Sequence, residues 1–299
     1  MKAPDGNKLA ILNALNQGGF ISGQVLGEQL GISRAAISKH IKSLQEMGLD
    51  IFKVTGKGYS LNSQVGLLNQ AQIQQHYQAL GATTAKVEVH PIIDSTNSEL
   101  MRRIQAKTEL ESGTVIVAEM QQLGRGRRGR VWQSPFGANL YYSYFWRLDD
   151  GIQAAMGVSI VVGLAVYDAI KALYNIEVEL KWPNDIYLNK QKLAGVLVEL
   201  DAQPQGPCQL VIGIGINLQM PESFSQHIDQ AWTDLSQHTQ QLNKNQLVAS
   251  LTYYLEQRLE QYSESGLQSM HQQWNALNAF AGECVELNTG HRSWRGICE

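Results

Sequence analysis

Four arginines spaced by three glycines, Gly124-Arg125-Gly126-Arg127-Arg128-Gly129-Arg130, form the densest chemistry-bearing stretch of the chain. A guanidinium is permanently charged and offers a fixed fork of donors to a carboxylate or a phosphate. Glycine and arginine both lose much conformational freedom on ordering, so Gln121–Ser134 reads as a loose loop that an anion draws shut. The spacing Gly124-x-Gly126-x-x-Gly129 also meets a dinucleotide fingerprint, but that motif needs a helix directly after it. Val131-Trp132-Gln133-Ser134-Pro135 follows instead, and no Gly-Lys-Ser/Thr marks a P-loop. The plainer alternative is a solvated basic loop or a nucleic-acid arm.

Lys181 is the second candidate. In Val178-Glu-Leu-Lys181-Trp182-Pro183-Asn184-Asp185 it ends an apolar strand that Pro183 terminates. A lysine there either snorkels to water or meets a buried anion. Asp94-Ser95-Thr96-Asn97-Ser98-Glu99 carries the capping-box spacing Thr96-x-x-Glu99. A helix begins there, and its hydroxyls and free N–H groups suit a small polar ligand as well as an ordinary cap. Gly213 and Gly215, inside the apolar run Gln209–Asn217, leave room for close approach of a ligand or of backbone.

These groups need a rigid frame. Lys86–His90, Thr114–Ala118, the alternating Leu140–Trp146, Lys192–Leu200 after a turn at Asn189-Lys190-Gln191, and Gln209–Asn217 read as strands. Ile152–Tyr174 reads as a long buried helix. Its most apolar part, Ala154–Tyr167, lies between Gln153 and Asp168 and is shorter than a bilayer span. Helices are expected around Asn245–Ser263 and Leu267–Leu277. Strands mixed with a few helices indicate an α+β fold around one mixed sheet.

The N-terminal segment has a different pattern. Leu9, Ile11, Leu12 and Leu15 predict a short helix stopped at Gly18-Gly19; Ser22 caps a second with Val25, Leu26 and Leu30, ended by Gly31. Ser33 caps a third helix with Ala36, Ile37, Ile41 and Leu44 on one face and Arg34, Ser38, Lys39 and Lys42 on the other. Ile51–Val54, a basic turn and Tyr59-Ser-Leu61 follow as a hairpin, making a winged helix-turn-helix. On a DNA reading, Ser33, Arg34, Ser38 and Lys39 meet base edges while Lys42, Lys53 and Lys57 meet phosphates; a protein-docking module is the alternative.

The charge distribution agrees. Residues 1–63 carry a net +3 and the remainder −6, which confines any nucleic-acid face to the N-terminal module. So weak a basic excess calls for a dimer on a two-fold site. With 43% hydrophobic and 17% charged residues, the 299-residue chain has the composition of a globular protein of two or three domains, not of a disordered one. Cys208, Cys284 and Cys298 signal neither a disulfide framework nor a zinc site. No opening targeting segment is evident, so a cytoplasmic protein is expected. The Gln-rich stretch Asn62–Leu80 is read as a linker into a short helix, with a boundary near Val65.

Taken in order, Asp94–Asn97, Gly124–Arg130, Ser134-Pro-Phe-Gly-Ala-Asn139, Lys181–Asp185, Lys192-Leu-Ala-Gly195 and Gly213-Ile-Gly-Ile-Asn217 resemble the motifs of biotin protein ligases. With the winged module in front, the chain is similar to the bifunctional ligases of bacteria that also repress the biotin operon. The resemblance covers nearly the whole chain and implies three domains. These are a winged helix-turn-helix at 1–64, a mixed-sheet ligase domain resembling class II synthetase-like folds at 65–278, and a partial or divergent SH3-like β-barrel at 279–299.

The resemblance also implies the chemistry: biotin and ATP, with Mg²⁺ on the nucleotide rather than on a protein cluster, give biotinyl-5′-AMP, whose biotin passes to a lysine of the biotin carboxyl carrier protein. Biotin contacts would be Ser95, Thr96, Asn97, Gln121, Arg125, Gly126, Arg127 and Lys181, with Lys181 and Arg125 catalytic. Nucleotide contacts would be Arg127, Arg128, Arg130, Trp132, Asn217 and Trp232. The adenylate-bound form would dimerise on operator DNA. A ligand-sensing regulator without chemistry and a lipoate or octanoate ligase are the alternatives.

Overall fold

A computed structural model describes residues 6–62, 65–148, 154–202, 207–289 and 292–298. The first three helices, α1 (Gly6–Asn16), α2 (Gly23–Leu30) and α3 (Arg34–Glu46), form where the caps predict them: Ser22 Oγ accepts from Val25 N and Ser33 Oγ from Ala36 N. Gly31 ends α2 in the left-handed region, which glycine enters without steric cost. Ile11, Leu12, Leu15, Leu26, Ile37, Ile41 and Leu44 close a small core, whereas Val25 stays exposed. Strands β1 (Ile51–Val54) and β2 (Gly58–Leu61) pair antiparallel as the wing. Met120 and Phe136 of the following domain complete this core, and Phe136 N donates to Met47 O at 2.8 Å.

The second body begins with α4 (Gln70–Ala79). Seven strands follow: β3 (Lys86–His90), β4 (Thr114–Ala118), β5 (Asn139–Leu148), β6 (Glu179–Lys181), β7 (Asp185–Leu188), β8 (Gln191–Ala202) and β9 (Cys208–Asn217). Their order is β3-β4-β5-β9-β8-β7-β6, with β3 parallel to β4 and the other neighbours antiparallel, giving the expected α+β fold around a mixed sheet. Between them lie α5 (Thr96–Gln105) and α6 (Val158–Tyr174); α7 (Glu222–Ser225), α8 (Lys244–Ser265) and α9 (His271–Ala276) come after. Helices α4, α6 and α8 pack together on one face, and α5 crosses the other with Leu100 and Ile104 on Ile116, Phe145 and Val211.

That double cover corrects the strand reading of Leu140–Trp146. The segment is buried at every position rather than at alternate ones, because both faces of β5 meet helices. The helix ends at Tyr174 as expected, but its apolar stretch runs past the expected Tyr167: Ala155–Tyr174 has the length and composition of a membrane span, yet α6 packs against α8 and the sheet, so its apolarity serves the core. It opens with a 3-10 turn at Ala154–Gly157, and the expected start at Ile152 lies outside the described residues. Helix α5 is capped by Ser95, not Thr96; Ser95 Oγ accepts from Ser98 N at 3.4 Å, and Glu99 turns outward to Arg102 and Arg103 instead of closing a capping box.

At the C-terminal side, β10 (Cys284–Thr289) and β11 (Arg292–Ile297) form a two-stranded antiparallel sheet, the only part of the expected small barrel among the described residues. Of the turn expected at Asn288-Thr-Gly-His291, Gly290 and His291 lie outside them.

Candidate active site

A cleft of about 480 Å³ opens on the α5 face of the sheet, where β5, β8 and β9 end near the arginine loop. Its floor is glycine for a physical reason. A Cβ on Gly213 would meet Asn97 Oδ1 at 2.4 Å, and one on Gly215 would meet the Trp132 ring at 2.5 Å. The close approach foreseen at these two glycines is thus filled by side chains of the cleft itself.

The inner end is a web of polar groups. Gln121 Oε1 accepts from Thr96 N at 2.9 Å and Thr96 Oγ1 at 3.1 Å. Ser143 Oγ lies 2.7 Å from Thr96 Oγ1 and 2.5 Å from Asn97 Oδ1, while Asn97 Nδ2 donates to Glu199 Oε2 at 2.8 Å. Ser95, Thr96, Asn97 and Ser143 are all buried, so each rotamer is held by its neighbours. Outside, the helix that carries them is clamped: Arg102 pairs with Asp94 and Glu99, and Arg103 pairs with Glu88 and Glu99. Those guanidinium hydrogen bonds hold the carboxyls of Asp94, Glu99 and Glu88 below the usual carboxylate range.

The arginine loop folds into a small flap. Trp132 N donates to Gly124 O at 2.9 Å and Gly126 N to Arg130 O at 2.7 Å; Arg127–Gly129 makes a 3-10 turn in which Arg128 takes a left-handed φ of 56°. Such a backbone costs a non-glycine residue on the order of 1 kcal/mol, a strain consistent with a functional loop. No helix follows the glycines, so the element that a dinucleotide fingerprint needs is lacking there. All four arginines are exposed. Arg125 Nη2 donates to Ser98 Oγ and Glu199 Oε2, both at 3.0 Å, and Arg127 Nη1 donates to Asn184 Oδ1 at 3.0 Å. These side chains of the flap therefore touch α5, β8 and the turn between β6 and β7 through a few polar contacts.

On the opposite wall Lys181 ends β6, where its Nζ donates to Tyr187 Oη at 2.9 Å. A cis Trp182–Pro183 bond follows it, and Trp182 is 57% exposed at the rim. Ser95, Thr96, Asn97, Gln121, Arg125, Gly126, Arg127 and Lys181, the eight sequence candidates for one ligand, all line this cleft, together with Arg128, Arg130 and Trp132.

A second chamber of about 290 Å³ adjoins it, lined by Arg130, Trp132, Lys192, Asn217 and Trp232 among others. The six nucleotide candidates therefore divide: Arg127 and Arg128 line the first space, Asn217 and Trp232 the second, and Arg130 and Trp132 both. Trp132 is the partition, and its Nε1 is buried without a hydrogen-bond partner among the described residues, a donor left for an incoming group. Asn217 is buried and donates to Thr233 O at 3.0 Å, so it also pins the loop that brings Trp232 to the chamber.

Sequence reasoning missed several groups. Glu199 bonds both Asn97 and Arg125; its signal is a carboxylate in the apolar run Leu193–Leu200. Ser143 is the one non-aromatic polar residue of Leu140–Trp146. Lys192, in a motif quoted but given no role, pairs with Asp185 at 2.8 Å and sits 5.6 Å from the Trp132 ring centre. Glu286, Leu287 and Asn288 of β10 also border the cleft, with no local signal at all.

The DNA candidates lie apart on the winged module. Ser33, Arg34, Ser38, Lys39, Lys42, Lys53 and Lys57 are all exposed, though the Ser33 hydroxyl is spent on capping α3.

Known proteins bear on both regions. Residues 89–217 match the Biotin/lipoate A/B protein ligase family, and residues 7–60 match an HTH domain. Over 97% of its length the chain is 44% identical to the bifunctional ligase/repressor BirA of Salmonella typhimurium, covering 88% of that protein, and equally to that of Escherichia coli. The BirA of Bacillus subtilis is 30% identical over 93% of the chain. Among solved structures, a biotin protein ligase from Aquifex aeolicus in complex with biotin and ATP superposes with a TM-score of 0.60 at 27% identity, covering 72% of this chain and 86% of that one.

Proposed function

The chain belongs to the family of bifunctional biotin ligase/repressors, and on that premise we propose that it makes biotinyl-5′-AMP from biotin and ATP, biotinylates the carrier protein of acetyl-CoA carboxylase, and represses the biotin operon. The observation that carries this reading is the convergence of eight separately placed candidates on one cleft beside a second, tryptophan-walled chamber.

In the first step a biotin carboxylate oxygen attacks the α-phosphorus of ATP and pyrophosphate leaves. Two anions must approach, and fixed cations offset their repulsion. Lys181 is assigned to bridge carboxylate and α-phosphate. Arg125 and Arg127 flank them, and Arg128 and Arg130 face the phosphates. The neutral head of biotin is assigned to Ser95, Thr96, Asn97 and Gln121, and the nucleoside to Trp132, Asn217 and Trp232. Mg²⁺ bound to the nucleotide would neutralise further charge; no group of three His, Cys, Asp or Glu side chains among the described residues suits a metal ion. In the second step the carrier lysine amine attacks the acyl carbon and AMP leaves, while the flap keeps water from the mixed anhydride.

Regulation follows from the same flap. A ligand that orders a surface loop removes part of the entropy cost of dimerising, and two winged modules then span a two-fold operator. We place the domain boundaries at 64/65 and 278/279 and assign the protein to the cytoplasm. Incubation with biotin, ATP and Mg²⁺ should give pyrophosphate and bound adenylate that excess lipoate does not suppress. Formation of neither product would leave a ligand sensor without chemistry.

A further inference from the structure

The connector between α9 and the C-terminal hairpin is fastened to the edge of the sheet beside Lys181. Leu180 N donates to Leu277 O at 2.7 Å and Ala279 N to Leu180 O at 2.9 Å, so Asn278 makes a single parallel bridge to Leu180 on the edge strand β6. Lys190 clamps the same connector through Ala279 O and through Glu283 Oε1 at 2.7 Å. This fastening delivers the Phe280 ring to the catalytic wall. It meets Tyr187 edge-on, with centroids 6.2 Å apart at 67°, and lies between two ammonium groups, Lys181 at 5.5 Å and Lys190 at 5.0 Å. Lys181 Nζ is also 4.9 Å from the Tyr187 ring centre and bonded to its hydroxyl.

We propose that Tyr187 and Phe280 are positioning residues for the catalytic ammonium: an aromatic shelf, completed by the C-terminal connector, holds Lys181 at the mouth of the cleft for the incoming carboxylate and phosphate. A flexible four-carbon stem leaves an ammonium free to wander, and one hydrogen bond does not fix it. The Phe280 ring and the Tyr187 hydroxyl oxygen confine it from two sides while leaving donors free for the ligand. Because Phe280 comes from the connector, displacement of the C-terminal hairpin is felt at Lys181 through that ring.

This inference rests on the assignment of Lys181 above, and the test separates the two. Tyr187→Phe removes the hydroxyl, Phe280→Leu removes one ring, and Phe280→Tyr keeps a ring. Burst pyrophosphate release should fall about 10-fold or more in kcat for Phe280→Leu and Tyr187→Phe, since small misplacements of reacting groups are costly, while KM for biotin moves less than about twofold. Phe280→Tyr should recover most of that loss. Independently of activity, acylation of Lys181 by an amine-selective reagent at fixed pH, read by peptide mass spectrometry, should quicken about threefold in both damaging variants as the ammonium loses its shelf. Unchanged Lys181 acylation in both, or equal losses in Phe280→Leu and Phe280→Tyr, overturns the proposal. A wild-type protein that releases no pyrophosphate rejects the ligase reading, and the acylation measurement still decides the shelf.

Discussion

The inner and outer ends of the cleft solve different problems with different materials. Thr96, Asn97 and Ser143 at the inner end are buried and bonded to one another. At the outer end four exposed arginines ride a flap whose side chains touch the wall through Glu199, Ser98 and Asn184. A neutral polar ligand is selected by short-range hydrogen bonds, which lose their value unless donors and acceptors are fixed beforehand. Charge acts over a longer range, so cations for a carboxylate and a phosphate can begin exposed and close later. Glu199 joins the two ends, holding Asn97 with one oxygen that also receives Arg125.

The contrast orders the expected effects of substitution. Lys181→Ala removes the cation assigned to bridge the two anions and should lower adenylate formation about 1000-fold with the melting temperature unchanged, read by pyrophosphate release. Asn97→Ala leaves Ser143 and Glu199 short of a partner and should weaken biotin about 100-fold by calorimetry, with the ATP KM little changed. Arg127→Ala acts at the movable end: biotin affinity should stay within about threefold while the bound adenylate leaks to solvent about 10-fold faster, timed by trapping. An equal loss of biotin affinity in Asn97→Ala and Arg127→Ala would erase the distinction.

The smallest effect concerns pH. Asp94, Glu99 and Glu88 have folded pKa values depressed by Arg102 and Arg103. Their contribution is present above the ordinary carboxylate range near 4 and is lost as pH falls through the lower folded values. Thermal melting between about pH 6 and 3 should therefore show acid loss that shrinks in Arg103→Gln. These groups are partly exposed, so the difference is modest.

Much of this arrangement was legible in the sequence because local rules governed it. The caps Ser22 and Ser33, the apolar strand runs and the Gly-Arg loop each depend on neighbours in the chain. The Thr96 capping box failed because Ser95 caps α5 one residue earlier, and Glu99, left outside the box, pairs with Arg102 and Arg103. Leu140–Trp146 lost its alternation because a helix covers each face of the sheet. Glu199 and Ser143 left a faint mark as polar residues in apolar strands. Tyr187 and Phe280 left none, since long-range contacts of the connector, the bridge at Leu180 and the Lys190 clamp, bring them together.

The central claim is that a prebuilt polar pocket faces a flap that anions close. Amide hydrogen exchange over Gly124–Trp132 and over Thr96–Asn97, with and without a saturating biotinyl-5′-AMP, tests it directly. Flap amides should slow about 10-fold or more on binding, while those of Thr96 and Asn97, buried beforehand, should change little. A flap that exchanges as fast with the ligand as without it would contradict the account.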